Sequence, residues 1–551
     1  MVELAEAGGI PALNKRAEKS WHYQLGRLVV TRFQLFQLAV LVLMAINVFY
    51  RLSSAVVSDM DEARYGVAAS EMLDAHNWLV PTYGGRTEYW NLKPPLGYWL
   101  IQASYSIFGR SVFALRLPAA LCALGVVLLT MTIGRRWFGR RVAILAGLFM
   151  ATCFGFLSHH GARSGDLDAQ LTLISMLLLW QVPKLSVSSA SRLWFGLLFG
   201  VAFLLKSFAI MPFAIASVIY LLWVDDKKTR VRDWLPALMV FVGIVGAWML
   251  VRTIKDGTAY FVVRMTYEDL FLRATHEVDH GSRYAPWGYA ASLFDRFAPW
   301  PVFIVVGWLY KLRGKVSASQ PLYRLVMLWA LVPLSLFSLA HTHHHWYLNP
   351  AYPAFAMLSA IALLNITKRQ VSMLARNLMV GLLAVLLVAC EVRVIKRCAH
   401  RDRMPPSQRF LSSLGKYNLR HGTPLQASFP LSHSERFILQ VVCGFDVRDP
   451  ETEAVKGAAT PAYPTLSLSR MPSALQDSRM EPLPGTVLAQ YHDLMLLKHD
   501  VPVTGLAESQ SDINTATPNH DLFTLQRTGV GDHLHGRHGR RSRTAGYRHG
   551  F

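Results

Sequence analysis

Charge is scarce in this chain. Only 17% of its 551 residues are Asp, Glu, Lys or Arg, and 52% are hydrophobic. Ordinary soluble domains carry roughly 25% charged residues, so a single soluble globule is excluded. Cysteine is scarce too: Cys122, Cys153, Cys390, Cys398 and Cys443 are all there is. None forms a C-x-x-C pair, which leaves zinc-ribbon and thioredoxin-like chemistry without support. The first three lie in apolar runs and read as core residues. Cys398 and Cys443 are placed to pair if their segment faces an oxidising compartment. No G-x-G-x-x-G, no P-loop and no internal repeat is found, so nucleotide-binding and solenoid readings lack a starting point. Positive charge is not scarce, and the formal net charge is +21. No nucleic-acid recognition motif accompanies it. The basic residues instead gather in short loops and in a basic tail, as the cytoplasmic loops of membrane proteins require.

Grease in long runs is what the chain does have. A helix crosses a bilayer with about 20 mostly apolar residues. Apolar runs fall near 33–50, 112–133, 142–158, 168–183, 193–205, 207–224, 234–254, 297–310, 322–340, 347–365 and 377–394. They predict a polytopic α-helical membrane protein of about eleven helices. No small-residue cleavage site comes after the first run, so a retained helix is the expectation there rather than a signal peptide. Arg135, Arg136, Arg140 and Arg141 fill one loop; Lys227, Lys228, Arg230 and Arg232 fill another; Lys311, Arg313 and Lys315 a third. With Lys15, Arg16 and Lys19 they fit one side, the cytoplasmic one by the positive-inside rule. The other side then receives the loop 51–111, the segment 159–167, the turn near Lys206, the loop 255–296, the segment 341–346, and the chain beyond about 395. Tyr98–Phe108 is amphipathic and short, and is expected to lie in the interface. The chain thus divides into an N-terminal segment 1–32, a transmembrane domain 33–394, a small extracytoplasmic domain of mixed α/β character 395–525, and a His/Arg-rich tail 526–551 too polar to fold.

The ionisable groups near membrane boundaries sort to that second side. Asp59, Asp61, Arg64 and Lys93 are in its first loop. Arg163, Asp166 and Asp168 precede or open the fourth run, Lys206 sits between two runs, and Arg264, Arg273 and His280 lie in the large loop. His341, His343, His344 and His345 open the tenth run. Ionisable groups at membrane depth are costly, and a scatter of tolerated charges would not gather on one face. In the stretch DEARYGVAASEML, helical spacing puts Asp61, Arg64 and Tyr65 on one face, with Val67, Ala68 and Met72 as an apolar stripe. Glu62 and Glu71 read as surface groups that pair on that helix. Lys206 can equally snorkel to the interface, whereas Lys93, pinned before Pro94–Pro95, reads as aimed at a partner. His341 and His345 stand at i, i+4, the spacing of two metal ligands on one helix face, but there is no H-E-x-x-H and no third ligand nearby.

DEARY…EML (Asp61 to Leu73), W-x-x-P (Trp78 to Pro81), KPPLGYWL (Lys93 to Leu100), ARSGDLDAQLTL (Ala162 to Leu173), FLLKSFAIMP (Phe203 to Pro212) and HHHWYLNPAYPA (His343 to Ala354) come in the order seen in polyprenyl-phosphate-sugar glycosyltransferases. The chain resembles the lipid A aminoarabinose transferases and, more distantly, the protein O-mannosyltransferases, over roughly its first two thirds. The resemblance implies a C-type glycosyltransferase fold in the bacterial inner membrane, with the active site facing the periplasm. It implies Asp61 and Asp168 as catalytic carboxylates, Asp166 being a rival to the latter. Arg64, Lys93, Lys206 and Arg273 are implied as cations for the donor phosphate. Tyr65, Tyr89, Asp166, His280, His345 and Tyr347 are candidates for substrate contact. The implied partners are a polyprenyl-phosphate sugar, a cell-envelope acceptor and the bilayer, and no nucleic acid. No cofactor is firmly implied, though a divalent metal on Asp61, Asp168 or the histidines stays open. In the aminoarabinose transferases an acid precedes the K-P lysine; here that position is Leu92, which leaves sugar and acceptor open. The competing class is a multi-pass lipid or sugar transporter, whose ionisable and helix-breaking residues tend to sit near the bilayer midplane in repeats. A third is a non-catalytic receptor presenting the C-terminal domain, which has no use for concentrated acids and bases.

Overall fold

The computed structural model describes residues 22–25, 28–158, 160–223, 229–275, 288–312, 321–368, 372–398, 403–418, 420–450, 466–470 and 486–499. His280 and the tail 526–551 lie outside these residues.

Each of the eleven apolar runs is helical. The first helix, Arg32–Phe49, starts at a capping box in which Thr31 and Gln34 exchange side-chain and backbone bonds, satisfying two of the donors a helix start leaves open. Seven helical stretches among the described residues have the length and composition to cross a membrane. One of them, Ser189–Trp223, contains two of the predicted runs, divided at Lys206 and Ser207. The other three runs give the shorter helices Arg140–Ala151, Asp168–Gln181 and Pro301–Leu312. Helices Val112–Phe138 and Tyr352–Lys368 are central, while Met373–Lys396 is largely exposed along its length, as a helix facing lipid should be.

Loops gathered at one end of this bundle build the site. The helix Asp61–Asp74 packs on the amphipathic helix Leu96–Phe108. Between them, Thr82–Tyr83 and Arg86–Thr87 form a small antiparallel hairpin. Its turn, Gly84–Gly85, has φ of 61° and 75° at both residues, the geometry that makes glycine the favoured choice there. Glu71 holds the turn by accepting from Gly84 N–H at 2.8 Å and Gly85 N–H at 3.1 Å.

The C-terminal region carries a five-stranded mixed sheet in the order Asp446–Arg448, Pro424–Ala427, Leu466–Arg470, Leu494–Lys498, Thr486–Tyr491. The first two pairings are parallel and the last two antiparallel. A π-helical turn, Phe437–Val442, docks the domain on helix Asp61–Asp74. Gly66 makes that approach feasible: a Cβ there would collide with the Phe437 ring. No disulfide joins Cys398 to Cys443, and the other three cysteines form none either, so the pairing considered from sequence does not form. Cys443 instead sits against the carbonyls of Leu411 and Ser412.

Candidate active site

Asp61 and Glu62 open the same helix, where carboxylates suit its positive end. Adjacent helical positions diverge by about 100°, and the two acids part accordingly. Glu62 turns inward and is 1% exposed. Its carboxylate accepts from Arg116 Nε (2.6 Å) and Nη2 (2.9 Å), from Ser58 N–H (2.9 Å) and from Gly165 N–H (2.8 Å). Arg116 in turn donates to the carbonyls of Leu52, Ala55 and Val56. Glu62 is therefore a buried clamp joining three segments, not the surface group expected from the sequence. Asp61 faces the other way and keeps a third of its side chain open, against 2% for Asp166 and for Asp168. Of these carboxylates it is the one open to solvent. Asp59 braces the helix entrance by accepting from Ser434 N–H at 2.8 Å. Burial pulls the Asp59 carboxyl upward, but the Ser434 and Ser432 bonds outweigh it and hold it below its ordinary value.

Opposite Asp61 stands the loop before helix Asp168–Gln181. His160 Nδ1 lies 3.2 Å from Asp166 Oδ1 and 4.0 Å from Asp61 Oδ2. Its ring stacks on Trp346 with centroids 3.8 Å apart, and Asn349 Nδ2 donates to its carbonyl at 2.9 Å. The backbone at His160 is left-handed, with φ of 59°, an uncommon setting for a residue other than glycine. Arg163 fixes the loop by donating to the carbonyls of Asn47 and Val48. Burial alone would discharge the imidazole, yet the Asp166 carboxylate outweighs it and raises the His160 pKa. Ligand atoms of Asp61, His160 and Asp166 all lie within 4.8 Å of one another. They are the set, among the described residues, with the donor chemistry for a divalent cation, and a protonated His160 supplies positive charge at the same place.

The cations lie alongside. Lys206 Nζ donates to Asp168 Oδ2 at 2.6 Å and also feels the charges of Asp61 and Asp166. Ser207, the next residue, has φ of 51°; the helix is broken so that the lysine ends it rather than continuing into the membrane. Lys93 Nζ and Arg273 Nε converge on one carboxylate, Asp269, at 3.3 Å and 3.2 Å from its Oδ1. Arg273 Nη1 also donates to the Tyr347 hydroxyl at 3.1 Å, and Tyr347 is within electrostatic reach of Lys206. A π-helical turn, Tyr267–Leu272, supplies Asp269 and delivers Arg273; such wide turns are frequent at functional sites. The patch is electrically divided. At one end two carboxylates, Asp61 and Asp166, share one histidine. At the other, two cations share one carboxylate.

Arg64 is not part of this patch. Its Nη2 donates to both oxygens of Glu88, at 2.8 Å and 2.6 Å. The guanidinium is sandwiched between Tyr83 and Trp90, 4.3 Å and 4.5 Å from their ring centroids. His433 of the C-terminal region completes the cage, with Nε2 3.3 Å from Arg64 Nη1 and Nδ1 2.7 Å from the Tyr83 hydroxyl. Since arginine only donates, Nε2 accepts and the proton sits on Nδ1. Burial first, and Arg64 second, lower the His433 pKa against the opposing pull of Asp59 and Glu88. The neutral form thus belongs to the folded state, while an unfolded chain takes up the proton near the ordinary histidine value of about 6.5. Stability from this contact is full above that pH and is lost as pH falls through it toward the lowered value. Thermal melting of the purified chain between pH 7.5 and 5.5 should show it. His433→Gln, which can still accept from Arg64, is expected to lose less stability across the window than the wild type. Equal slopes would refute the role.

The remaining expected contacts fall elsewhere. Tyr65 is 2% exposed and packs edge-on against Tyr98, so it stiffens the helix behind Asp61 instead of meeting a substrate. Tyr89 packs against Tyr260 and Phe261, in the small apolar cluster that also buries Leu92. His345 begins a 3-10 turn and packs edge-on against Trp346, while His341 precedes it in a bend. The two are not on one helix face, so their spacing does not make them paired ligands. His160, Asp269, Glu88, His433 and Trp346 were not singled out from sequence. The doubled histidine before G-A-R-S-G-D-L-D was a usable signal for His160; the others are joined to the site only by folding.

Several apolar spans, a lateral helix–hairpin–helix loop and a carboxylate–cation site at one end define a class: this is a multi-pass membrane protein with the C-type glycosyltransferase fold. The structure superposes on ArnT from Cupriavidus metallidurans bound to undecaprenyl phosphate with a TM-score of 0.61, covering 84% of this chain and 97% of that one at 17% identity. The apo state of the same protein gives 0.62 at 18% identity. The model of the dolichyl-phosphate-mannose-protein mannosyltransferase family matches residues 92–251. More particularly, the chain is similar in sequence to aminoarabinose transferases. It is 28% identical over 375 residues to undecaprenyl phosphate-alpha-4-amino-4-deoxy-L-arabinose arabinosyl transferase 2 of Pseudomonas fluorescens, which covers 66% of this chain and 62% of that protein. The corresponding transferase of Pseudomonas paraeruginosa is 28% identical over 391 residues, 67% of this chain and 68% of that protein. The matched region spans 52–62% of the first three curated relatives.

Proposed function

We propose that the protein transfers a sugar from a polyprenyl-phosphate donor to a cell-envelope acceptor at the extracytoplasmic face of the bacterial inner membrane. A lipid A-like glycolipid is the first choice of acceptor; a glycan or protein would use the same site. The electrical division of the site carries this reading. Sugar transfer from a lipid phosphate needs two unlike environments a few ångströms apart, one that draws a proton from or orients the acceptor and one that receives growing negative charge on the departing phosphate. The donor names of the similar transferases point to the same chemistry.

The acceptor oxygen attacks the sugar carbon from the face opposite the phosphate, the carbon–oxygen bond to the phosphate breaks, and configuration inverts. Asp61 takes the proton of a hydroxyl acceptor, a role worth roughly 10²–10⁴-fold; a phosphate acceptor needs only orientation from it. Asp166 and His160 position Asp61, and His160 keeps two carboxylates compatible. Lys93 and Arg273, oriented by Asp269, meet the departing phosphate as preorganised donors. Lys206, held by Asp168, extends that surface toward the sugar. Arg64, locked to Glu88, supports the geometry from behind. Where a divalent cation is bound, Asp61, His160 and Asp166 would hold it, and it would supply further charge stabilisation.

The test is purified protein incubated with radiolabelled polyprenyl-phosphate sugar and candidate acceptors; transfer to none of them, with donor translocation instead, would overturn the reading. Within that assay Lys93→Ala should raise the donor KM by about tenfold, the equivalent of a single charge-assisted contact of ~1.4 kcal/mol, and leave the acceptor KM within twofold. An unchanged donor KM would remove Lys93 from the phosphate end.

A further inference from the structure

A second cationic recess lies away from the patch just described. It is a groove of about 400 Å³, and no residue of the Asp61, Lys206 or Asp269 clusters lines it. This volume falls in the range of ordinary small-ligand sites. The groove opens where helix Arg32–Phe49 ends and helix Val112–Phe138 begins, and both helices have the length and composition of membrane spans. It therefore sits at the membrane–water boundary of the end that carries the site.

The C-terminal region closes one wall. Arg403 bridges to Ala55, and Met404 N–H donates to the Ser54 carbonyl at 3.0 Å. Thus the chain leaving the first span and the chain entering the C-terminal domain are zipped together above the bilayer. Arg403 and Arg409 supply the cations, and Arg51, Ser53, Ser54, Ser111 and Ser412 complete the polar part of the lining. Arg403 and Arg409 are exposed, and no carboxylate is among the described residues lining the groove. The nearby Glu62 is fully engaged with Arg116 on the inner side of the 52–56 segment. Nothing acidic stands in the first turn of helix Val112–Phe138, so its positive end adds to the same field. The floor is apolar: Val112, Phe113, Met404 and Val442, with Phe113 packed against Phe49 of the first span.

We propose that this groove holds the headgroup of an anionic glycerophospholipid from the surrounding bilayer. Guanidinium forks match phosphodiester oxygens, and the apolar floor continues toward the acyl chains. Bound there, the lipid ties the first span to the base of the C-terminal domain, the same joint that aligns Asp59 and Asp61. The occupant is a component of the membrane, distinct from donor and acceptor.

Native mass spectrometry of the full-length protein, released from vesicles of equal parts phosphatidylglycerol and phosphatidylcholine, reads the site directly. Retention of phosphatidylglycerol over phosphatidylcholine is expected, falling about tenfold in the double variant Arg403→Gln/Arg409→Gln. On the wild-type protein alone, short-chain phosphatidylglycerol should bind saturably, and short-chain phosphatidylcholine or inorganic phosphate should not displace it. Equal retention of the two lipids, unchanged retention in the double variant, or displacement by inorganic phosphate would each overturn the proposal. So would a double variant that keeps its phosphatidylglycerol but loses use of the sugar acceptor, because the groove would then belong to the transfer reaction.

Discussion

Asp61→Asn is expected to abolish measurable transfer to a hydroxyl acceptor, with kcat down by roughly 10²–10⁴ and donor binding within twofold of wild type. The substitution keeps size and shape, and Asp61 is the most open carboxylate of its cluster, with a third of its side chain exposed. Its removal therefore disturbs little packing, and the melting temperature should hold. Asp168→Asn makes the contrast. It takes the carboxylate from a largely buried lysine at 2.6 Å, and breaking a buried pair by removing one partner costs far more than the pair itself contributes. That variant should lose both stability and activity. Transfer assays and donor-binding titrations on the same purified samples separate the two cases. Normal turnover by Asp61→Asn would overturn its assignment as the acting carboxylate.

The largest effect on stability is expected at the clamp. Glu62→Gln cannot match a carboxylate that accepts from Arg116 twice and from two backbone N–H groups. It leaves a guanidinium uncompensated at 1% exposure. Losses of about 3–5 kcal/mol are usual for such cases, and chemical unfolding in detergent should report a loss of that size. Glu62→Leu/Arg116→Leu should recover part of it, since an apolar pair has no unpaired charge. Recovery stays partial because the carbonyls of Leu52, Ala55 and Val56 lose their donor. If Glu62→Gln melts with the wild type, the clamp is not what holds the first loop.

These two neighbours show where one-dimensional reading stops. From sequence, Asp61 and Glu62 differ only by one position on a helix. That one is to be the reacting group and the other a structural clamp depends on Arg116, 54 positions along the chain. The same holds for Arg64. Its spacing places it beside Asp61, but Glu88, Tyr83, Trp90 and His433 draw it into a cage of its own. Lys93 and Arg273 were singled out separately, and it took the π-helical turn at Asp269 to bring them to one carboxylate.

By itself the sequence determined the membrane architecture. Apolar runs must become helices in a bilayer, because no other local structure satisfies the backbone without water, and all eleven did. It also indicated that the acids and bases of the candidate site gather at one end, since burying ionisable groups in lipid is too costly. Tertiary structure alone decided the division of labour within that end. Whether a carboxylate is solvated or clamped, and whether a cation faces a substrate or a partner, are set by contacts between segments distant in the chain. Those contacts are made by helix packing and by the docked C-terminal domain, whose His433 and Ser434 reach the first loop from some 375 residues away.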